Sequence, residues 1–306
     1  MSVGDTEAAR PPVVVVGSLH RDLTLRVPHL PAAGETLLAA GRVDATGGKG
    51  ANQAVAVARC GVEVGLVAAV GDDPDGAAAL ADLRAAGVDV AAVGARAEPT
   101  GRAFVLVDRH GENSIVVDAG ASGALAVADV TAAAEVVGAA RVVVLQCEVP
   151  EAANLAAAEL ATGRVVLTPA PARPLPEALL SRVDVLVPNR AEAAQLAGAA
   201  TPASLGEARA LVTRVAPSVP SVLLTLGADG VLVRHGGAVT HVPAHPAAVV
   251  DTTGAGDAFT GAVVAELARD RSLLAAVEVA VRYAAAAVAT AGAAPPPRIG
   301  TALPRS

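Results

Sequence analysis

Short runs of β-branched residues alternate along this chain with longer segments rich in alanine and leucine, and no other feature limits its possible folds as strongly. The runs Val13–Val16, Val64–Ala69, Val142–Leu145, Val165–Leu167, Val183–Val187 and Val222–Thr225 have the length and composition of strands. Several are apolar throughout rather than at every second residue, as a strand must be when helices cover both its faces. The segments Ala51–Arg59, Gly76–Ala86, Glu151–Ala161, Ser204–Val215, Ala255–Ala268 and Leu273–Thr290 read as helices favoured by alanine. Such an order predicts an α/β fold with a mostly parallel central sheet flanked by helices.

Two stretches depart from the alternation. Asp22–Val27 with Thr36–Val43, and Ala103–Val107 with Ser114–Val117, are short, polar at alternate positions and joined by turn sequences such as Arg109-His110-Gly111-Glu112. They predict a small antiparallel β lid, inserted at about 22–45 and 100–118 into a single domain spanning 1–306. Residues 1–12 read as a short frayed leader without the apolar run of a signal peptide. Pro295-Pro296-Pro297 closes the last helix and leaves a loose tail.

Composition removes several functional classes. Hydrophobic residues make up 53% of the 306, which excludes intrinsic disorder. The longest apolar segment, from Val277 onward, is interrupted by Arg282, so no membrane partner is expected. With 23 basic against 30 acidic residues the net charge is −7, the wrong sign for a nucleic-acid binder, so any anion must be held locally. Cys60 and Cys147 fit neither a disulfide framework nor a metal spacing, and a reduced, cytoplasmic setting is expected. The six histidines show no clustered ligand spacing, and no GxSxG elbow occurs.

Four segments carry candidate chemistry. Asp251-Thr252-Thr253-Gly254-Ala255-Gly256-Asp257 enters the helix Ala255–Ala268, where glycines admit a close ligand and the free N–H groups of the first turn make an anion site. Asp257 stands in that turn as a candidate base, with a pKa expected to be depressed by the helix dipole. Gly47-Gly48-Lys49-Gly50-Ala51-Asn52 opens another helix, with Lys49 and Asn52 as donors for hydroxyl groups. It is not a P-loop, because Lys49 is followed by Gly50, and Gly17-Ser18-Leu19-His20 after the first strand is no dinucleotide fingerprint, which argues against a dehydrogenase. Asn189 and Glu192 sit three apart at a helix start, suited either to a plain capping box or to a hydrated Mg²⁺ beside a nucleotide. Thr225-Leu226-Gly227-Ala228-Asp229-Gly230 is at least a hairpin turn. His20 and Asp22 follow the first strand, and Cys147 and Glu148 another, at the strand ends where α/β proteins bind ligands. Cys147 by itself reads as a small buried hydrophobe.

Each segment alone has an ordinary structural explanation, but their order and wording resemble the ribokinase-like (PfkB) family of sugar and nucleoside kinases, most closely its ribokinase branch. GGKGANQA at 47–54 and DTTGAGDAFTGA at 251–262 resemble the family's two signatures, supported by GSLHRD at 17–22, GET at 34–36, TPAPAR at 168–173, PNRAEA at 188–193 and TLGADG at 225–230. The resemblance implies ATP-dependent phosphorylation of a primary hydroxyl of a small sugar, D-ribose to D-ribose 5-phosphate, with a nucleoside or another sugar as alternative acceptor. Outside that class stands a sugar-binding sensor without turnover, which an intact Asp257 and anion hole disfavour. By the same resemblance Asp257 is the catalytic base, and Gly254, Ala255 and Gly256 form the anion hole. His20, Asp22, Gly48, Lys49, Asn52, Glu148 and Asp257 itself bind the sugar. Asn189 and Glu192 serve the phosphates and, through water, Mg²⁺, while Thr225, Gly227 and Gly230 bind ATP. A monovalent cation, K⁺, is expected at Asp251, Thr253, Ala287, Thr290 and Gly292. A homodimer through the lid is also implied, with Leu25, Val27, Leu37 and Leu38 at its interface or over the sugar. The sequence departs from the branch at His20, commonly Asn, at Thr260, frequently Asn, and at Pro296, commonly Ser.

Overall fold

The computed structural model describes residues 11–290; the first ten residues of the expected leader, the proline run with Pro296, and Gly292 lie outside the described residues. Strand β1 (Val13–Val16) is followed by β2 (His20–Arg26), β3 (Gly41–Gly47), α1 (Lys49–Arg59), β4 (Val64–Gly71), α2 (Pro74–Ala85), β5 (Val88–Asp89), β6 (Val93–Arg96), β7 (Gly101–Val107) and β8 (Asn113–Asp118). Three short helices, α3 (Gly120–Gly123), α4 (Val127–Ala132) and α5 (Ala134–Ala139), lead to β9 (Val142–Gln146), α6 (Glu151–Leu160), β10 (Arg164–Thr168), α7 (Glu177–Leu180) and β11 (Val185–Leu186). The chain ends through α8 (Arg190–Leu196), α9 (Leu205–Val212), β12 (Ser221–Thr225), β13 (Val231–His235), β14 (Ala238–Val242), α10 (Ala255–Ala268) and α11 (Leu273–Val288).

The main sheet runs β14-β13-β12-β11-β10-β9-β1-β4-β5, with β6 also on β4; it is parallel except for the β12–β13–β14 hairpins at one end. β1 lies between β4 and β9, with Val13 opposite both Val64 and Val142, and shows why its sequence is valine throughout. Val13 and Val15 join a core with α1, α10 and α11, while Val14 and Val16 join a second core with α4, α6, α8 and α9 on the other face. Each fully buried valine contributes about 1.5–3 kcal/mol relative to exposure.

The separate lid sheet has the order β3-β2-β7-β8: two antiparallel pairs joined by the parallel pair β2–β7. The strand expected at Thr36–Val43 is corrected to Gly41–Gly47. Register explains the shift, since Gly41 already pairs with Arg26, the last residue of β2, so residues 36–40 have no strand to pair with. Other boundaries move by one to three residues; α1 starts at Lys49, α9 ends at Val212, and α2 starts at Pro74, where the Asp73 side chain accepts from Gly76 N–H. Leu38 is exposed, as are Ile115, Val116 and Val117 on β8, whereas Val27 is buried and so absent from the outer surface. No helix among the described residues is long and apolar enough to cross a membrane.

Candidate functional site

All four chemical segments emerge beside one another because a parallel sheet brings the carboxyl ends of its strands to one edge. β1 delivers Ser18 and His20, β9 delivers Glu148, β11 delivers Asn189 and Glu192, and β12 ends at Thr225. The helices α1 and α10 pack on one another and point their N-termini at this edge, placing Lys49 and Asp257 there.

Glu148 is the hub at the α1 start. One carboxylate oxygen, Oε2, accepts from Ser18 Oγ at 2.5 Å and from the Lys49 backbone N–H at 2.8 Å, and Ser18 Oγ in turn accepts from Gly50 N–H at 3.2 Å. Asp22, on the lid strand β2, lies close enough to feel the charge of Glu148. Burial and the like charge of Glu148 raise its carboxyl to about 6, against the pull of Arg21. The glycine run is sterically required: a Cβ on Gly47 would lie 2.0 Å from Asp22 Oδ2. Among the described residues Asp22 Oδ1 and His20 Nε2 are buried without a hydrogen-bond partner, and burial lowers the pKa of the His20 ring. An unpaired buried acceptor and an imidazole nitrogen are costly unless a ligand completes them, and a polyol, being both donor and acceptor at each hydroxyl, fits both.

Folding favours the protonated form of an acid whose pKa it raises, so the stability that Asp22 supplies is full below about pH 4 and is lost as pH rises through 6. Asp22→Asn is therefore expected to melt at a higher temperature than the parent above pH 6, with the difference shrinking toward pH 4, and to bind sugar more weakly. Parallel melting and sugar-titration series check both; a pH-independent difference in melting would contradict the assignment.

Asp257 occupies the first turn of α10, whose N-cap Gly254 takes a left-handed φ of 73°. Its carboxyl was expected below the usual range, and the structure corrects this. Burial pushes it up more strongly than its surroundings pull it down, the chief opposing influences being the Lys49 ammonium and the Gln53 amide. Lys49 is raised by the charges of Asp257, Glu148 and Glu192, so one ammonium stands among three carboxylates. Gly256 is unlike the other glycines of the site. It is helical with an ordinary φ, and a Cβ there would meet nothing within 4 Å. Neither backbone nor packing asks for glycine at Gly256, which leaves the approach of a ligand to the helix N–H groups as its physical reason.

Asn189 and Glu192 form the capping box that their spacing allows. Asn189 N–H and Nδ2 donate to Glu192 at 2.8 Å each, and Glu192 N–H donates to Asn189 Oδ1 at 2.9 Å. Glu192 also feels both Lys49 and Asp257, so the box belongs electrostatically to the site. An isolated parallel bridge joins Asn189 to Thr225, whose N–H donates to the Pro188 carbonyl at 2.9 Å. Arg190 ties this corner to the tight turn Gly227–Asp229 through an ion pair with Asp229, and Gly230 leads into β13. Among the described residues no three His, Cys, Asp or Glu gather as a metal cluster. A single carboxylate suits Mg²⁺, which keeps most of its waters and leans on substrate phosphates.

Asp251 and the end of α11 are adjacent, with the Val250 and Asp251 N–H groups both donating to the Val288 carbonyl. Thr253 N–H donates to Asp251 Oδ1 at 2.9 Å. The Ala287 carbonyl accepts from both the N–H and the hydroxyl of Thr290, so a cation there would replace one of these donors. Cys147 is buried, as its composition suggested, and burial pushes its thiol up. Gln53, Gln146, Thr168 and Ser18 were not singled out from sequence, although all join the site's hydrogen bonds; Ser18, Gln53 and Thr168 lie inside quoted motifs, and position alone could have flagged them.

Comparison with known proteins finds relatives along nearly the whole chain. The model of the pfkB family carbohydrate kinases matches residues 11–299. The chain is 34% identical over 284 residues to a ribokinase of Haemophilus influenzae, covering 92% of each. A ribokinase structure from Thermotoga maritima superposes with a TM-score of 0.84 at 31% identity, covering 94% of this chain and 97% of that one. That of Arabidopsis thaliana ribokinase complexed with ribose and ATP gives 0.83 at 32% identity, covering 92% and 94%.

Proposed function

Because the chain belongs to the pfkB family of carbohydrate kinases, we propose that it phosphorylates D-ribose at the primary hydroxyl, using ATP and giving D-ribose 5-phosphate and ADP. The observation that carries this reading is the unpartnered pair Asp22 Oδ1 and His20 Nε2 in the field of Glu148, whose charge also acts on the buried Asp257 at the start of α10. The identity to ribokinases across nearly the whole length, and the fold shared with a ribose and ATP complex, support ribose over other acceptors.

In this reading Asp22, His20, Asn52 and Glu148 orient the sugar beneath the lid, with the backbone at Gly48 in close approach. Asp257 accepts the proton of the primary hydroxyl as its oxygen bonds to the γ-phosphorus and the bond to the bridging oxygen breaks, releasing ADP. The N–H groups of Gly254–Gly256 and the Lys49 ammonium meet the charge on the transferring group, the largest contribution available in a loose phosphoryl-transfer step. A base whose pKa burial has raised takes that proton more readily than one depressed by the helix dipole. Thr225, Gly227 and Gly230 flank the nucleotide. Asn189 and Glu192 would hold hydrated Mg²⁺, which neutralises phosphate charge when bound. Phosphate is thereby held by backbone, metal and one lysine, which reconciles ATP binding with a net charge of −7.

Asp251, Thr253, Ala287 and Thr290 are assigned to K⁺, which would set the backbone of the anion hole. The enzyme is assigned to the cytoplasm. The exposed apolar rim of the lid, Leu38 with Ile115 and Val116, is assigned to a homodimer, with sedimentation of the purified protein as its check. ADP release measured over pentoses, hexoses and nucleosides, in K⁺ and again in tetramethylammonium at equal ionic strength, tests the rest. The expected result is a highest kcat/KM for ribose and a lower rate without K⁺. A nucleoside preferred over ribose would overturn the acceptor, and an unchanged rate without K⁺ would remove the cation site.

A further inference from the structure

We propose that Gln53 is a positioning residue for the reaction: held in one orientation by Gln146, its side-chain amide donates to Asp257 Oδ1 and fixes the carboxylate that takes the acceptor's proton. The inference rests on the reading of Asp257 as base.

Gln53 lies on α1 and is fully buried, as are Gln146 at the end of β9 and Asn154 on α6. A glutamine amide is nearly symmetric in shape and opposite in chemistry at its two ends. Turned around, Gln53 would set its oxygen against the oxygen of Asp257. Gln146 prevents that, because its Nε2 donates to Gln53 Oε1 at 2.9 Å and commits Gln53 Nε2 to the other side. There the Gln53 amide donates to Asp257 Oδ1 at 2.9 Å, with Thr168 Oγ1 at 3.4 Å.

The relay is anchored in the rigid centre of the molecule. The main-chain carbonyl of Gln146 accepts from Asn154 Nδ2 at 2.6 Å, and Gly17 packs so closely on the side chain that a Cβ on it would lie 1.9 Å from Gln146 Oε1, which has no hydrogen-bond partner among the described residues. A buried carboxylate with no donor would hold its proton and could not act as base. The amide supplies a fixed donor to the ionised form and brings no titrating proton of its own. Lys49 also favours the ionised form but stands among three carboxylates, whereas Gln53 makes a directed bond to one oxygen.

Three variants test the proposal. Gln53→Leu is expected to lower kcat about tenfold to hundredfold with sugar KM held within about threefold, the size of effect that orienting partners of active groups have. The acid limb of its kcat profile is expected to move to higher pH. Gln53→Glu keeps the shape but couples a second carboxyl to Asp257, so that limb moves up further. Gln146→Leu, which touches no substrate in this reading, gives a smaller version of the same change. Carbon NMR of labelled aspartate, with the Asp257 signal identified by its loss in Asp257→Asn, reads the same upward shift without turnover, so an acceptor other than ribose does not affect this outcome. Unchanged kcat, pH profile and carboxyl titration in folded Gln53→Leu would overturn the proposal, as would a loss confined to KM or to melting temperature. If Gln53→Leu does not fold, Gln53→Glu and Gln146→Leu decide by the same readouts.

Discussion

Asp257→Asn is expected to lower kcat by about 10²–10⁴, the range a positioned general base supplies, while the protein stays folded and still binds ATP and sugar. The two properties separate because asparagine preserves what packing requires at this position. Its Oδ1 still accepts from Gln53, and the side-chain volume in the first turn of α10 is unchanged. What disappears is the ability to take a proton. Equilibrium binding of ATP and ribose, beside single-turnover rates, separates the outcomes; lost binding with an unchanged single-turnover rate would make Asp257 a ligand for the sugar rather than its base. In the parent enzyme, activity should rise with pH as Asp257 loses its proton, with the acid limb above the ordinary carboxylate range because burial raises this group. In Asp257→Asn that limb should be absent from the residual rate.

Gly256→Ala is expected to move stability and activity in opposite directions. A Cβ at this position meets no atom within 4 Å and the backbone is already helical, so alanine should stabilise α10 by up to about 1 kcal/mol. The same methyl group would stand where the transferring phosphoryl group approaches the helix N–H groups, and kcat should fall about 10²–10³, as when one donor of an anion hole is lost. Thermal melting and steady-state kinetics on one preparation check both signs. A stabilised enzyme with full activity would show that no ligand uses this face of α10, and an unstable one would mean that glycine serves the fold.

Much of this site was legible in the sequence because its parts are local. Gly254–Asp257 is a loop and helix start readable in one window, and Asn189 with Glu192 is a capping box by spacing alone. The valine runs of β1 and β9 announced strands buried on both faces, and two separate cores confirm it. What failed depended on partners distant in the chain. The strand at Thr36–Val43 was misplaced because its limit is set by where β2 ends, which only register reveals. The Asp257 carboxyl was expected low because the helix dipole is visible in sequence and burial is not. Gln53 lies inside a motif, but nothing local ties it to Gln146, which is 93 positions away and lies in none. The bland reading of Asn189 and Glu192 was itself correct, since the capping box exists, and the same carboxylate nonetheless lies within the field of Lys49 and Asp257.

The central claim is that this site moves a phosphoryl group from ATP to the primary hydroxyl of ribose with Asp257 as base. Phosphorus NMR of the product formed from ATP, Mg²⁺ and D-ribose tests it directly, because a phosphate on a CH₂–O carbon splits into a triplet and one on a secondary or anomeric carbon into a doublet. The expected result is a growing triplet whose rate falls by about 10²–10⁴ when Asp257→Asn replaces the parent enzyme. A doublet, no sugar phosphate, or an undiminished triplet from Asp257→Asn would contradict it.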